Sequence, residues 1–195
     1  MELLKLMRTA REQLKPFWLM ASLVCIIYGV LVGLPSELNT YGELLSFLLA
    51  GPLQLGMCIY FLNIVKQQTP SIENLLEGFK PLAKVLLAYL IITIGTVLGL
   101  LLLIIPGIIF ALGLSMTFYL LAENPEFSVE EALKKSWELT DGYKGELFFL
   151  HMRFIPWYFL GLLFFVVGVF LVMSWHQLAL AHYYMHLKAQ KQLQF

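Results

Sequence analysis

The sequence predicts an all-α polytopic membrane protein, six transmembrane helices arranged as three hairpins, each preceded by an interfacial amphipathic helix. Three observations carry that expectation. Of 195 residues, 59% are hydrophobic and 13% charged, against roughly 45–50% and about 25% in soluble domains. That balance excludes a water-soluble globule, a disordered tail and a nucleic-acid binder. The apolar residues also fall into windows free of Lys, Arg, Asp and Glu, each one or two spans long. Finally, a segment of helical apolar spacing and a lysine followed by a helix breaker precede each pair of spans.

In chain order, Leu3, Met7, Ala10, Leu14 and Phe17 recur at helical intervals and predict an amphipathic helix. The first span runs from Phe17 to Ser36 and reads as a span, not a cleaved signal, because no small-residue cleavage site follows it. The second runs from Leu44 to Val65 and contains Gly51-Pro52. Ile72, Leu75, Leu76 and Phe79 predict a second short helix with Ser71 as its N-cap. Val85 to Ala122 is uncharged throughout, and one helix of that length would measure roughly 57 Å, nearly twice a bilayer. The window must fold back, and Pro106-Gly107 predicts the turn. Val129, Ala132, Leu133 and Trp137 form the third amphipathic face, behind a capping box of Ser128 and Glu131. The last window, Phe154 to Leu187, is again two spans long, with the break expected at Gly168 and a turn over Val166 to Phe170.

The three units, about 1–66, 67–127 and 128–195, read as copies within a single integral membrane domain. Each passes through an apolar-Lys-breaker step, Leu14-Lys15-Pro16, Phe79-Lys80-Pro81 and Tyr143-Lys144-Gly145, at spacings of 65 and 64 residues. An even number of spans per unit gives every copy one orientation, so the repeat axis follows the membrane normal. Such a ring either encloses a cavity or packs shut through small residues such as Gly95, Gly99, Gly113 and Ser115.

The 13 basic residues balance 13 acidic ones, yet all the basic ones belong to one face. Lys5, Arg8, Arg11 and Lys15 precede the first span; Lys66, Lys80 and Lys84 lie between the second and third; Lys134, Lys135, Lys144 and Arg153 accompany the next connection; Lys188 and Lys191 are in the tail. The opposite face has Glu37 and Glu43 and no cation. The positive-inside rule then places both termini in the cytoplasm.

The run Leu101 to Ile109, then Ser115-Met116, Tyr119 to Glu126, Ser128, Glu131-Ala132-Leu133, Ser136 and Gly142 to Lys144 closely resembles the bacterial membrane family known as domain of unknown function 975. Gly51-Pro52-Leu53 with Gly56, Glu77-Gly78-Phe79, and Phe154-Ile155 with Trp157 resemble its other recurring elements. After Gly168 the chain reads Val172-Met173-Ser174-Trp175-His176-Gln177, without the proline that the family tends to carry there. The resemblance implies a multi-pass protein of the bacterial cytoplasmic membrane and brings no catalytic residues.

Ionisable groups in spans mark candidate sites. His151, Arg153, His182 and His186 suggest a basic patch for an anionic headgroup; the alternative is a snorkelling arginine beside an aromatic belt with Tyr183 and Tyr184. His182 and His186 are four apart, but with no third ligand apparent no metal is expected. Gln54, Asn63, His176 and Gln177 either line a cavity or join helices. Glu123, Glu126, Glu130 and Glu131 read as a solvated helix start. Cys25 and Cys58 read as apolar fillers. With no phosphate-binding glycine loop, nucleophile elbow or intramembrane carboxylate pair, the expectation is a non-enzymatic protein without cofactor that binds, senses or moves a lipid or other amphiphile. The competing expectation is an accessory subunit that docks a protein partner through residues 123–146, with Trp137 and Tyr143 as anchors, or forms a homo-oligomer.

Overall fold

A computed structural model describes residues 3–36, 40–163 and 165–191, and among them the chain is helical with no strand. The α-helices are α1 (Leu3–Leu14), α2 (Trp18–Ser36), α3 (Thr40–Val65), α4 (Asn74–Glu77), α5 (Leu82–Leu102), α6 (Ile104–Leu114), α7 (Thr117–Glu123), α8 (Val129–Thr140), α9 (Lys144–Leu163) and α10 (Phe165–Gln190). Four helical runs, Leu3–Pro35, Tyr41–Val65, Leu82–Leu102 and Ile104–Glu123, are long and apolar enough to cross a membrane. α9 and α10 are of similar length, with 20 and 26 residues, but carry Lys144, Glu146, Arg153, Lys188 and all four histidines.

α3 and α10 form the centre. α3 packs against α2, α4, α5, α7 and α10, and α10 against α1, α2, α3 and α9. Tyr60 and Phe61 of α3 and Tyr183 and Tyr184 of α10 are fully buried. α5 is the opposite case, exposing Leu87, Leu90, Ile94, Val97, Leu98 and Leu101. A large apolar surface of this kind requires a covering phase.

α1 buries Leu6, Met7, Ala10 and Leu14, the face its spacing predicts, and exposes Lys5, Arg8, Arg11 and Lys15. A 3-10 turn, Lys15–Phe17 with Pro16 inside it, links α1 to α2. Met7 reaches Trp175 and Gln13 reaches His182, so α1 advances in the sense of α10. α2 runs against α10, with Cys25 meeting Ser174 and Gly29 meeting Phe170. The helix axis therefore changes direction at the 3-10 turn.

The breaks differ from those expected. The second hairpin turns at Leu103, which is extended (φ −157, ψ 135), not at Pro106-Gly107. Pro106 is the third residue of α6, inside the first turn, where its missing N–H has no intrahelical partner to lose. Gly107 serves close approach: a Cβ on Gly99 would lie 2.8 Å from the Gly107 Cα. The third hairpin likewise turns before Gly168, because α9 ends at Leu163 and α10 begins at Phe165; Phe164 lies outside the described residues. Gly168 meets Gly161 across the two helices. In the first hairpin a Cβ on Gly42 would collide with the Pro35 carbonyl, while Glu37 lies outside the described residues. Gly51-Pro52 falls within the second span, where the sequence places it. It lies inside α3, where Gly51 packs on Tyr89 and the Pro52 carbonyl is met by Gly78.

The second predicted amphipathic helix shrinks to the four residues Asn74–Glu77, too few for a stable helix without outside support. Support comes from Gly56, where a Cβ would lie 2.6 Å from Leu75 Cα, and from Asn74, which accepts from Ser71 N–H at 2.9 Å and from Asn63 Nδ2 at 3.2 Å. Ser71 is not the N-cap, a position held by Glu73, although its hydroxyl accepts from Glu73 N–H. Leu75 is buried while Leu76 and Ile72 are exposed.

α8 begins at the predicted capping box, with Ser128 and Glu131 exchanging hydrogen bonds of 2.8 and 3.2 Å. The hydrogen bond from Ser128 N–H, followed by that of its side chain, holds the Glu131 carboxyl below the ordinary range. Its buried face comprises Ala132, Ser136, Leu139 and Thr140, not Leu133 and Trp137, because the hydroxyls have an acceptor to satisfy. The fourth long run breaks at Ser115-Met116 between α6 and α7, and there Ser136 and Thr140 donate to the Gly113 carbonyl at 2.9 and 3.1 Å. Trp137 covers Gly113 from the side.

Candidate functional site

An apolar helix bundle has few polar side chains to place, and each buried one needs a partner. The three histidines of the expected basic patch each have a different recorded partner. His151 meets the His176 ring edge-on at 4.9 Å. His182 Nε2 lies 2.9 Å from Gln13 Oε1 on α1. His186 packs near Tyr183 at 6.3 Å. Arg153 is exposed on α9, and none of these histidine contacts reaches it.

His176 is the more connected residue. Its Nδ1 is 3.0 Å from Tyr158 OH, its ring stacks on Phe154 at 4.4 Å, and its Nε2 is buried without a partner. Gln177 accepts from Tyr119 OH at 3.3 and 3.4 Å through its backbone and side-chain oxygens. Asn63 reaches Asn74, and Gln54 is half-buried in α3. Asn63 and Gln177 thus join helices.

The sequence reading missed the most connected charge. Glu123, at the end of α7, pairs with Lys66 just past α3 at 2.7 Å and with Lys188 of α10 at 2.8 Å, and accepts from Tyr184 OH at 2.6 Å. Its side chain is only 13% exposed. One carboxylate thereby ties three helix ends together. Its partners are remote in sequence, so only their shared end of the bundle signals the contact. Trp175 was also missed: its indole N–H donates to the Met7 carbonyl at 2.8 Å, and Arg11 lies 5.7 Å above its ring. Gln67 is a third case. It adopts φ +56 as Gln68 N–H closes α3 on the Asn63 carbonyl at 2.8 Å, a Schellman-type end that glycine ordinarily supplies.

Two concavities share the turn that joins α1 to α2. A groove of about 690 Å³ between α2 and α10 is lined by Lys15, Pro16, Trp18, Leu19, Ser22, Leu23, Ile26, Val167 and Leu171. Its walls are aliphatic and aromatic, with one cation, Lys15, at the end nearest α1. The buried Trp18 indole N–H has no partner, while Ser22 Oγ is satisfied by the Trp18 carbonyl at 2.7 Å. The volume lies within the roughly 300–1,000 Å³ of small-molecule sites. The second concavity, about 380 Å³, is lined by Gln13, Pro16, Phe17, Ile64, Gln67, Gln68 and Thr69. An exposed ammonium at the end of an apolar trough can hold an anionic head on a hydrocarbon tail.

The expected docking segment is engaged within the fold. Lys144 lies 4.3 Å over the Trp137 ring, and Tyr143 takes Lys191 on its ring at 5.9 Å and a hydrogen bond from Tyr183 OH on its carbonyl. Cys25 and Cys58 are both buried. Among the described residues no three His, Cys, Asp or Glu side chains are placed to hold a metal.

Compared with known families, residues 91–191 match the family described as protein of unknown function (DUF975). The match begins within α5 and continues through α10, past the point where the last helix lacks the expected proline. Gly51-Pro52 and Glu77-Gly78-Phe79 lie outside it. No curated protein and no solved structure matches the chain.

Proposed function

Since the chain belongs to the DUF975 family, whose function is unknown, we propose its role from its own geometry: a non-enzymatic protein of the bacterial cytoplasmic membrane that holds a phospholipid of net negative charge in the α2–α10 groove. The lipid phosphate sits at Lys15 and one acyl chain lies along Leu19, Leu23, Ile26 and Leu171. The groove itself carries this reading, because it combines apolar walls with a single cation at one end.

The reading takes the chain as six-spanning with both termini cytoplasmic. α9 and α10 supply the fifth and sixth crossings, antiparallel through Gly161 with Gly168 and Phe154 with Trp175. The threefold repeat is supported by the hairpin tips, each of which closes through a glycine: Gly42 on Pro35, Gly99 on Gly107 and Gly161 on Gly168. In this orientation Lys15 lies at the inner headgroup level and the groove runs outward along the acyl region.

An acyl chain entering the groove leaves one hydrocarbon phase for another, so hydrophobic transfer contributes almost nothing. Retention rests on packing and on the headgroup, where a surface lysine contributes about 1 kcal/mol toward an anionic lipid, or about fivefold in occupancy. Native mass spectrometry of the protein released from phosphatidylglycerol nanodiscs tests this. Lys15→Ala should retain about fivefold less lipid, and Ser22→Trp, which fills the trough, should retain less still. Retention equal to wild type in both variants refutes the assignment.

A further inference from the structure

The Lys-Pro step of the first unit recurs as Phe79-Lys80-Pro81, and it too lines a groove. This second groove, of about 370 Å³, lies among α3, the entry to α5 and the end of α7; Leu55, Ile59, Glu77, Lys80, Pro81, Leu121, Ala122 and Pro125 surround it. Leu55 and Leu121 are buried and form its floor. Its charge differs from that of the α2–α10 groove: an acidic side chain shares its lining with the lysine.

Glu77 and Lys80 are three residues apart yet form no ion pair with each other among the described residues. Glu77 is instead held by Asn74, whose Nδ2 donates to its Oε1 at 2.8 Å, and Lys80 is exposed. The nearby Lys84 is turned to the Pro125 carbonyl at 2.6 Å, which leaves Lys80 as the cation of the groove. Two opposite charges held apart over an apolar floor repel a purely anionic head at Glu77 and a purely cationic one at Lys80. They complement a head that carries both charges. In the third unit the corresponding Lys144 faces inward, over Trp137 and 3.5 Å from Asp141, so the lysine is available in two units of the three.

We propose that this groove binds a zwitterionic, phosphoethanolamine-headed lipid of the inner leaflet. Its ammonium sits at Glu77, its phosphate at Lys80 and its chain against Leu55, Ile59 and Leu121. The site is separate from the α2–α10 groove and stands on its own charge pair.

The test uses the full chain in nanodiscs of mixed phosphatidylethanolamine and phosphatidylglycerol, with retained lipid read by native mass spectrometry. Glu77→Gln keeps the bond from Asn74 and removes the charge; it should lower phosphatidylethanolamine retention at least fivefold and leave phosphatidylglycerol unchanged. Lys80→Ala, at an exposed side chain, should lower phosphatidylethanolamine likewise, whereas Lys15→Ala should spare it. Soluble phosphoethanolamine at millimolar concentration should not compete. Unchanged phosphatidylethanolamine in both Glu77→Gln and Lys80→Ala overturns the proposal. So does an equal loss in Lys15→Ala, and competition by the soluble head would assign the site to the free zwitterion. Loss of phosphatidylglycerol retention alone bears only on the α2–α10 groove.

Discussion

Replacing Glu123 by glutamine removes one charge and almost no volume. In the native protein that carboxylate faces Lys66 and Lys188 at 2.7 and 2.8 Å and Tyr184 OH at 2.6 Å. The substitution leaves two lysines facing each other without an anion. Breaking a fully buried pair costs about 3–5 kcal/mol, whereas an exposed pair contributes about 0–1 kcal/mol. Glu123 is 13% exposed at its side chain, and the lysines are 31% and 19%. The cost therefore falls between those limits, at about 2–3 kcal/mol. For a chain of this size each kcal/mol moves Tm by roughly 2–4 °C, so thermal unfolding in detergent should show a fall of about 4–12 °C. Glu126→Gln, at an exposed residue of the same acidic cluster, is the control and should change Tm by no more than about 1 °C. A Glu123→Gln variant that melts with the control would refute the view that this carboxylate fastens α3, α7 and α10.

Gln67→Gly should stabilise the protein by about 1 kcal/mol, seen as a raised Tm, because it relieves a positive φ at the end of α3. Gly99→Leu should lower Tm and disrupt the second hairpin, since a Cβ there already meets the Gly107 backbone; an unchanged Tm would show that the α5–α6 contact is dispensable. Ser136→Ala with Thr140→Val should cost about 1–3 kcal/mol by leaving the Gly113 carbonyl without its α8 donors, and amide exchange should rise at the α6–α7 junction. The Glu131 carboxyl is held below its ordinary value, so its contribution is complete above the unfolded carboxylate pKa of about 4.3 and is lost as pH falls through the lowered folded value. Thermal melts taken down to pH 3 should lose that part of their acid dependence in Glu131→Gln.

Features set by near neighbours were legible in the sequence. The capping box at Ser128 and Glu131, the buried face of α1 and the position of the helical windows follow from spacing alone. Breaks were less legible, because proline and glycine each have two uses. Pro106 opens α6 instead of making the turn, and Gly107 and Gly168 admit another helix instead of bending their own. The kink at Ser115-Met116 has no proline to announce it and is satisfied from α8. The candidate site fared similarly. His151, His182 and His186 were placed on the right helices, but their partners, His176, Gln13 and Tyr183, depend on rotation and packing. Lys15 is legible as part of a repeated step, whereas the groove beside it depends on how α2 packs against α10.

An experimental map of the full chain in phosphatidylglycerol and phosphatidylethanolamine nanodiscs tests the central claim most directly. Continuous elongated density along Leu19, Leu23 and Ile26, with its broad end against Lys15 and Trp18, is the predicted result. A closed or empty α2–α10 groove in lipid would contradict it.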